Sequence, residues 1–451
     1  MRSYLLLVIA FVAGAGVFHL FPQQPRLAAG LAILTFIATL WLTEAIHITA
    51  TALLVPVAAA VMGLMSVKEA FSSFASPIIF LFLGGFALAA AMRQHSLDQW
   101  LALLVIRWSR GNLRIAVLLL FLVTAWTSMW ISNTATTVMM LPIALGLLEK
   151  LDWDEHPGTF VFVLLGVAYS ANIGGIGTLV GSPPNAIAAS ILGLDFASWM
   201  QIGIPMVMVL LPAILMLLWL MLRPRWPVSE ELLTEELPHI TVWTPQAKGV
   251  LLVFACVVTC WLLSKPLSQL LGIDKGFDAL VAVLGAVVLL ACKLLDWKQF
   301  EQDTEWGVLL LFGGGIALSG VLSLTGSSEY LAQQLVAIFA GMPAVLFLAL
   351  AVGLMILLTE ISSNTASAAL FIPIFYSLPE AQIGLSPLLL SLSIAVAASC
   401  AFMLPVATPP NAIMFGTGLI QQRQMMRVGL VLNLVCIGLI TTFMPLLAVD
   451  L

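Results

Sequence analysis

Ser128-Met-Trp-Ile-Ser132-Asn133-Thr134 and Thr359-Glu-Ile-Ser-Ser363-Asn364-Thr365 are two runs of small polar residues, each set in the middle of a long apolar stretch, 115–149 and 342–378. Each stretch is long enough for two short helices. A polar turn at membrane depth survives only where protein buries it or where it lines an aqueous cavity. Both stretches therefore read as re-entrant hairpins whose polar tips lie inside the membrane.

The surrounding chain agrees. Of 451 residues, 61% are apolar and 9% charged, which excludes a soluble globular enzyme. About 275 apolar residues suffice for eleven helices of about 20 residues plus the two hairpins. Windows bounded by Pro, Gly and charge place spans near 4–20, 27–45, 49–65, 77–93, 158–194, 199–222, 248–270, 277–295, 306–323, 386–420 and 427–449. Amphipathic segments at 94–111 and 326–341 precede the hairpins and suit the membrane interface. Met1-Arg2 and the apolar run to Leu20 have the look of a signal peptide, but the ten spans that follow favour an uncleaved first span. The net charge of −5 comes with acidic clusters at Asp152–Glu155 and Glu230–Glu236 and with no basic face, so no nucleic-acid partner is expected. The five cysteines lie in apolar runs without a Cys-x-x-Cys pair and read as small hydrophobes, and the five histidines lack metal-ligand spacing.

With Met1 in the cytoplasm and each hairpin returning to the side it entered, thirteen Lys and Arg residues are cytoplasmic and four, Arg26, Lys68, Lys265 and Lys275, face out. The chain is thus expected to have its N-terminus inside and its C-terminus outside, in a bacterial cytoplasmic (inner) membrane.

Three matches in one order mark an internal repeat. Residues 80–88 match 310–318 at an offset of 230, Ser132–Ala135 matches Ser363–Ala366 at 231, and Ser182–Ile187 matches Thr408–Ile413 at 226. Five spans separate equivalent points, an odd number, so the halves are expected to be inverted. Inverted repeats with paired broken elements are the mark of a secondary transporter with a midplane site.

At each Ser-Asn-Thr, one short helix ends and another begins. Free carbonyls that suit a small hard cation and free N–H groups that suit an anion therefore converge there. A plain helix N-cap is the alternative for a single copy, and duplication argues against it. Ser182-Pro-Pro-Asn185 and Thr408-Pro-Pro-Asn411 break the spans 158–194 and 386–420, because paired prolines remove donors and leave carbonyls unpaired. Gly177–Ser182 and Val406–Thr408 are expected to end one half-helix, with Asn185 and Asn411 capping the next. No Lys or Arg occurs in either hairpin or either broken span, so a dianion held there needs helix N-termini and bound cations, which would make anion and cation binding interdependent. Glu360 has two readings: a carrier of a proton or further cation, or a carboxylate bonded to hydroxyls or amides that stiffens the hairpin, the second being favoured. Glu44 reads as interfacial, and Trp126 and Trp130 as packing residues.

On the two Ser-Asn-Thr tips and the two Pro-Pro-Asn motifs, the chain resembles the divalent anion/sodium symporter family over nearly its whole length. The resemblance implies an all-α polytopic membrane protein of eleven transmembrane helices and two re-entrant hairpins, arranged as inverted repeats with scaffold and transport domains. It further implies a homodimer that works as an elevator. The expected divisions are 1–76 (scaffold part of the first repeat), 77–222 (first hairpin and broken span), 223–305 (cytoplasmic linker and scaffold spans) and 306–451 (second hairpin, broken span and last span). Carried over by motif, one sodium ion meets Ser128, Ser132, Asn133 and the backbone of Gly181; a second meets Thr359, Ser362, Asn364 and the backbone of Ala407. Substrate meets Asn133, Thr134, Asn364 and Thr365, with Ser182 and Thr408 nearby. Ser182 stands where many relatives are expected to carry threonine, which leaves substrate size least defined.

The leading expectation is sodium-coupled import of dicarboxylates such as succinate, malate or fumarate, with Na⁺ as the co-transported ion and no organic cofactor. A sodium-independent dicarboxylate exchanger, or sulfate or citrate as the preferred anion, is the alternative. An intramembrane enzyme is disfavoured, since neither a Gly-x-Ser-x-Gly elbow nor a His-Glu-x-x-His is present. A channel does not require duplicated hairpins.

Overall fold

The protein is described here from a computed structural model covering residues 2–97, 100, 108–109, 112–149, 151–226, 244–273, 275–339 and 341–448. Among the described residues all regular structure is helical, and nine helices are long and apolar enough to cross a membrane. Six shorter apolar helices accompany them. Length alone places Ala344–Ile361, the first arm of the second hairpin, among the nine. Much of the amphipathic segment 94–111, the linker 227–243 and the charges Arg107, Arg110 and Lys150 lie outside the described residues, whereas the second amphipathic segment forms helix Ser327–Ile338.

Both polar runs turn the chain. Leu113–Ser128 and Asn133–Leu148 form the first hairpin, and Ala344–Ile361 and Asn364–Tyr376 the second. Ser132 and Ser363 start the second arms as N-caps, their hydroxyls accepting from Ala135 N (3.4 Å) and Ala366 N (3.5 Å).

The first broken span runs Pro157–Gly174, a 3₁₀ turn at Gly175–Gly177, and then Pro183–Leu192. The second runs Pro387–Ala398 and Pro409–Phe415. Its first half-helix ends at Ala398, well before the Val406–Thr408 expected from the prolines alone. The cause lies outside the span: the carboxylate of Glu360 takes the N–H groups of Phe402, Met403 and Leu404, so the backbone there leaves the helical ladder without losing its hydrogen bonds. The two asparagines also act differently from expectation. They do not cap the following half-helices. Asn185 Nδ2 reaches back to Gly175 O (2.8 Å) and Thr178 O (2.7 Å), and Asn411 Nδ2 to Ala401 O (3.0 Å) and Leu404 O (3.1 Å). An amide side chain can donate to the carbonyls that a broken helix leaves free, and in an apolar medium those carbonyls have no water to turn to.

These two broken spans occupy the centre: every residue from Thr159 to Gly174, and every one from Leu389 to Ala398, is buried. The outer helices show the opposite pattern, with Tyr4, Phe11, Leu252 and Leu284 exposed on faces that suit lipid.

The halves are packed across one another. Helix Pro77–Gln94 lies against Phe277–Ala291, and helix Trp306–Leu324 against Ile48–Val61. Gly84 abuts Ala282, and its counterpart at offset 230, Gly314, abuts Ala52, which is the counterpart of Ala282; a Cβ at either glycine would collide with backbone. Phe82 and Phe312, also 230 residues apart, meet edge to face with ring centres 4.7 Å apart.

Candidate functional site

Both hairpin tips and both breaks open onto one cavity of about 440 Å³. Its wall includes Ser132, Asn133, Thr134, Gly181 and Ser182 from the first half and Ser362, Asn364, Thr365, Ala407 and Thr408 from the second. Of the residues singled out in the sequence, Ser128 and Thr359 lie just behind the wall, fully buried. The tips and breaks, far apart in the chain, are brought together because the broken spans cross at the centre of the molecule.

The first oxygen cluster is built at the first tip. Ser128 Oγ is 2.5 Å from Asn133 Oδ1 and 2.7 Å from Ala171 O. The Asn133 amide can be turned two ways. With Oδ1 inward it faces acceptors, while with Nδ2 inward it donates to Ala171 O (3.1 Å), Gly181 O (3.3 Å) and Ser128 Oγ (2.5 Å). A cation among these oxygens favours the first orientation, because it turns their mutual repulsion into shared coordination. Glycine is needed for the approach: a Cβ on Gly181 would fall 2.5 Å from Gly175 O and 3.0 Å from Ser128 O.

At the second tip, Thr359 Oγ1 bonds Asn364 Oδ1 and lies 3.0 Å from Ala398 O. These groups match the first cluster at offsets of 231 for the side chains and 227 for the carbonyl. Ser362 faces inward differently, its hydroxyl bonded to Leu358 O (2.8 Å) and Ser367 Oγ (2.7 Å). Both clusters offer the neutral hydroxyl, amide and carbonyl oxygens that a hard monovalent cation takes.

Four helices begin at the cavity, at Asn133, Asn364, Pro183 and Pro409. The two that begin the second hairpin arms, at Asn133 and Asn364, carry about half a positive charge each, so together they oppose roughly one negative charge. The Pro-Pro starts lack their first N–H groups, so unbonded donors come from the hairpin tips. The hydroxyls of Thr134 and Thr365 have no protein partner among the described residues and face the same space.

Several residues at or just behind the wall were not found from the sequence. Asn172, buried within an apolar helix, donates to Thr408 Oγ1 (3.1 Å) and Asn411 Oδ1 (3.3 Å), and its own Oδ1 has no partner. Ser399, its counterpart at offset 227, meets Ser182 Oγ at 3.2 Å. A lone amide in an otherwise apolar span was the available signal, since such a group is costly at membrane depth unless bonded. Glu44 and Glu305 also line the cavity, at its mouth, so Glu44 is a wall residue as well as a helix end. Among the described residues no Lys or Arg lines it. Trp130 packs as expected, stacked on Phe196 and edge-on to Phe254, while Trp126 is 43% exposed. Glu360 bonds to amides and not to hydroxyls.

A helical membrane protein with polar helix ends around a central cavity has the architecture of a transporter, and the class follows from its relatives. Comparison with known proteins agrees: residues 38–393 match the family model described as citrate transporter, and the chain belongs to that family. It is 46% identical over 448 residues to an uncharacterized transporter of Haemophilus influenzae, covering 98% of this chain and 96% of that one. It is 36% identical over 458 residues to the sodium-dependent dicarboxylate transporter SdcS of Staphylococcus saprophyticus, covering 93% and 87%. Among solved structures it is similar to the YdaH transporter of Alcanivorax borkumensis, with a TM-score of 0.53 at 15% identity over 84% of this chain and 87% of that one, a likeness of fold alone. The chain is an integral membrane transporter.

Proposed function

We propose that this transporter imports small dicarboxylates together with sodium, by an elevator movement of the hairpins and broken spans against a dimeric scaffold divided as the sequence suggests. One observation carries the reading: two oxygen clusters and the N-termini of two hairpin arms face a single cavity that no lysine or arginine among the described residues lines. An anion there lacks a fixed counter-charge, and cations at the clusters supply it. Asn133 and Asn364 stand between cluster and cavity, so each serves both ions. Thr134, Thr365, Ser182 and Thr408 complete the anion's surroundings, and Ser132, Ser362 and the backbone of Gly181 and Ala407 the cations'. Relatives named sodium-dependent dicarboxylate transporters support the same reading.

The contact between Phe82 and Phe312 supports inverted repeats, because a residue that touches its own counterpart lies on the axis relating two halves. With the N-terminus cytoplasmic, the mouth at Glu44 and Glu305 opens inward. On the opposite side Asp278 Oδ2 accepts from Phe196 N at 2.8 Å and Phe196 stacks on Trp261, contacts that hold the start of helix Phe196–Leu222 against helices Phe277–Ala291 and Pro245–Leu262.

Purified protein in proteoliposomes tests the reading. Succinate uptake is expected to rise several-fold under an inward sodium gradient over an equal potassium gradient. Uptake indifferent to sodium but dependent on internal dicarboxylate would replace symport by exchange.

A further inference from the structure

Glu360 is 3% exposed, at the end of the second hairpin's first arm. Its Oε1 accepts from Phe402 N (2.7 Å), Met403 N (2.9 Å) and Asn433 Nδ2 (2.8 Å), and its Oε2 from Leu404 N (3.0 Å). All four partners are neutral donors, a set that suits an ionised carboxylate. Among the described residues no cationic side chain is bonded to it, and a buried charge without a counter-charge is costly.

The first half solves the same problem without charge. At offset 231 the counterpart of Glu360 is Met129, whose thioether packs against Gly177 and whose carbonyl accepts from Thr178 Oγ1 at 2.5 Å. The break beside it is a 3₁₀ turn held by the neutral groups of Asn185 and Trp199. The two halves thus match at Ser128 and Thr359, and at Asn133 and Asn364, but differ by one buried carboxylate.

That carboxylate is adjacent to Thr359 in the chain, and its bonds lead on toward Ala407. It holds Leu404 N, while Leu404 O accepts from Ala407 N (3.2 Å) and from Asn411 Nδ2 (3.1 Å). We infer that Glu360 is a positioning residue that makes the two cation sites unequal, so that the second site, at Thr359, Ser362, Asn364 and Ala407, holds its sodium more tightly than the first. It fixes the loop that carries the site's backbone oxygen, and its negative charge is offset by the cation beside it. The inference rests on the sodium-coupled reading above.

The test is the sodium dependence of succinate uptake in proteoliposomes, at saturating succinate. Glu360→Gln, which keeps the shape and removes the charge, is expected to loosen the second site until it becomes the weaker of the two, and so to raise the sodium concentration for half-maximal uptake about tenfold. The succinate KM at saturating sodium should move by less than about twofold, a split that general loosening of the fold would not give. In a Thr359→Ala background the substitution should add nothing further, whereas in a Ser128→Ala background it should keep its full effect. Asn433→Leu, which removes one donor and leaves the charge, should shift the sodium curve in the same direction by a smaller factor, and it serves if Glu360→Gln does not fold. An unmoved sodium curve, equal effects in both backgrounds, or an equal rise in succinate KM would overturn the assignment. Wild-type uptake indifferent to sodium would instead overturn the coupled reading and this inference with it.

Discussion

Asn133→Ala and Asn364→Ala will each lower sodium-driven succinate uptake by about 100-fold or more, since in the proposed function each removes a contact to the anion and a ligand to a cation, worth about 1.5–3 kcal/mol apiece. The two side chains are half-buried on the cavity wall and hydrogen bonded to Ser128 and Thr359. Stability should fall far less than transport: with Nδ2 inward Asn133 donates to Ala171 O, Gly181 O and Ser128 Oγ, but it stands on the cavity wall, where water can replace it. Initial uptake rates and thermal midpoints of the purified variants check both halves of the expectation. Uptake within twofold of wild type for both variants would remove the two tips from the site.

Asn185→Leu and Asn411→Leu will have the opposite signature. Each of these amides is fully buried and donates to backbone carbonyls of a broken span, Gly175 and Thr178 in one half and Ala401 and Leu404 in the other. A leucine of similar size leaves those carbonyls unbonded in an apolar interior, at about 1–3 kcal/mol for each orphaned group. Two or more such groups amount to about 2–6 kcal/mol, a large share of the 5–15 kcal/mol that holds a folded domain together. Both variants are therefore expected to melt at least several degrees lower, and to lose transport because the breaks no longer hold their shape. A variant that keeps the wild-type melting point and loses only transport would show that the amide acts on the substrate instead.

The turns at the two tips and the two breaks were legible because polar and proline-rich runs in an apolar chain admit few structures. Ser-Asn-Thr at 132–134 and 363–365, duplicated in apolar surroundings, favoured a turn that is buried or lines a cavity over a plain cap, and Pro183-Pro184 and Pro409-Pro410 favoured a break in a span. What escaped was the identity of the partners. The second break extends back to Ser399 because of Glu360, dozens of residues earlier, and no local signal near 399–408 reports a carboxylate that arrives from another helix. The two asparagines after the prolines occupy positions that often cap a helix, and only the three-dimensional path of the chain reveals that the free carbonyls behind them are nearer than the free N–H groups ahead. Asn172 was overlooked for the same reason: its value comes from Thr408 and Asn411 on the other half. Glu44 ends its helix in a left-handed turn at φ 47°, which aims the chain end at the cavity, and hydropathy does not register direction.

The central claim is that anion and cation hold one another in a cavity without fixed positive charge. Calorimetric titration of the purified protein measures this directly, with succinate added at saturating sodium and in potassium, and sodium added with and without succinate. Linkage requires the factor by which sodium tightens succinate to equal the factor by which succinate tightens sodium, and both should lie at about 5–150-fold. Succinate that binds equally well in sodium and in potassium would contradict the account.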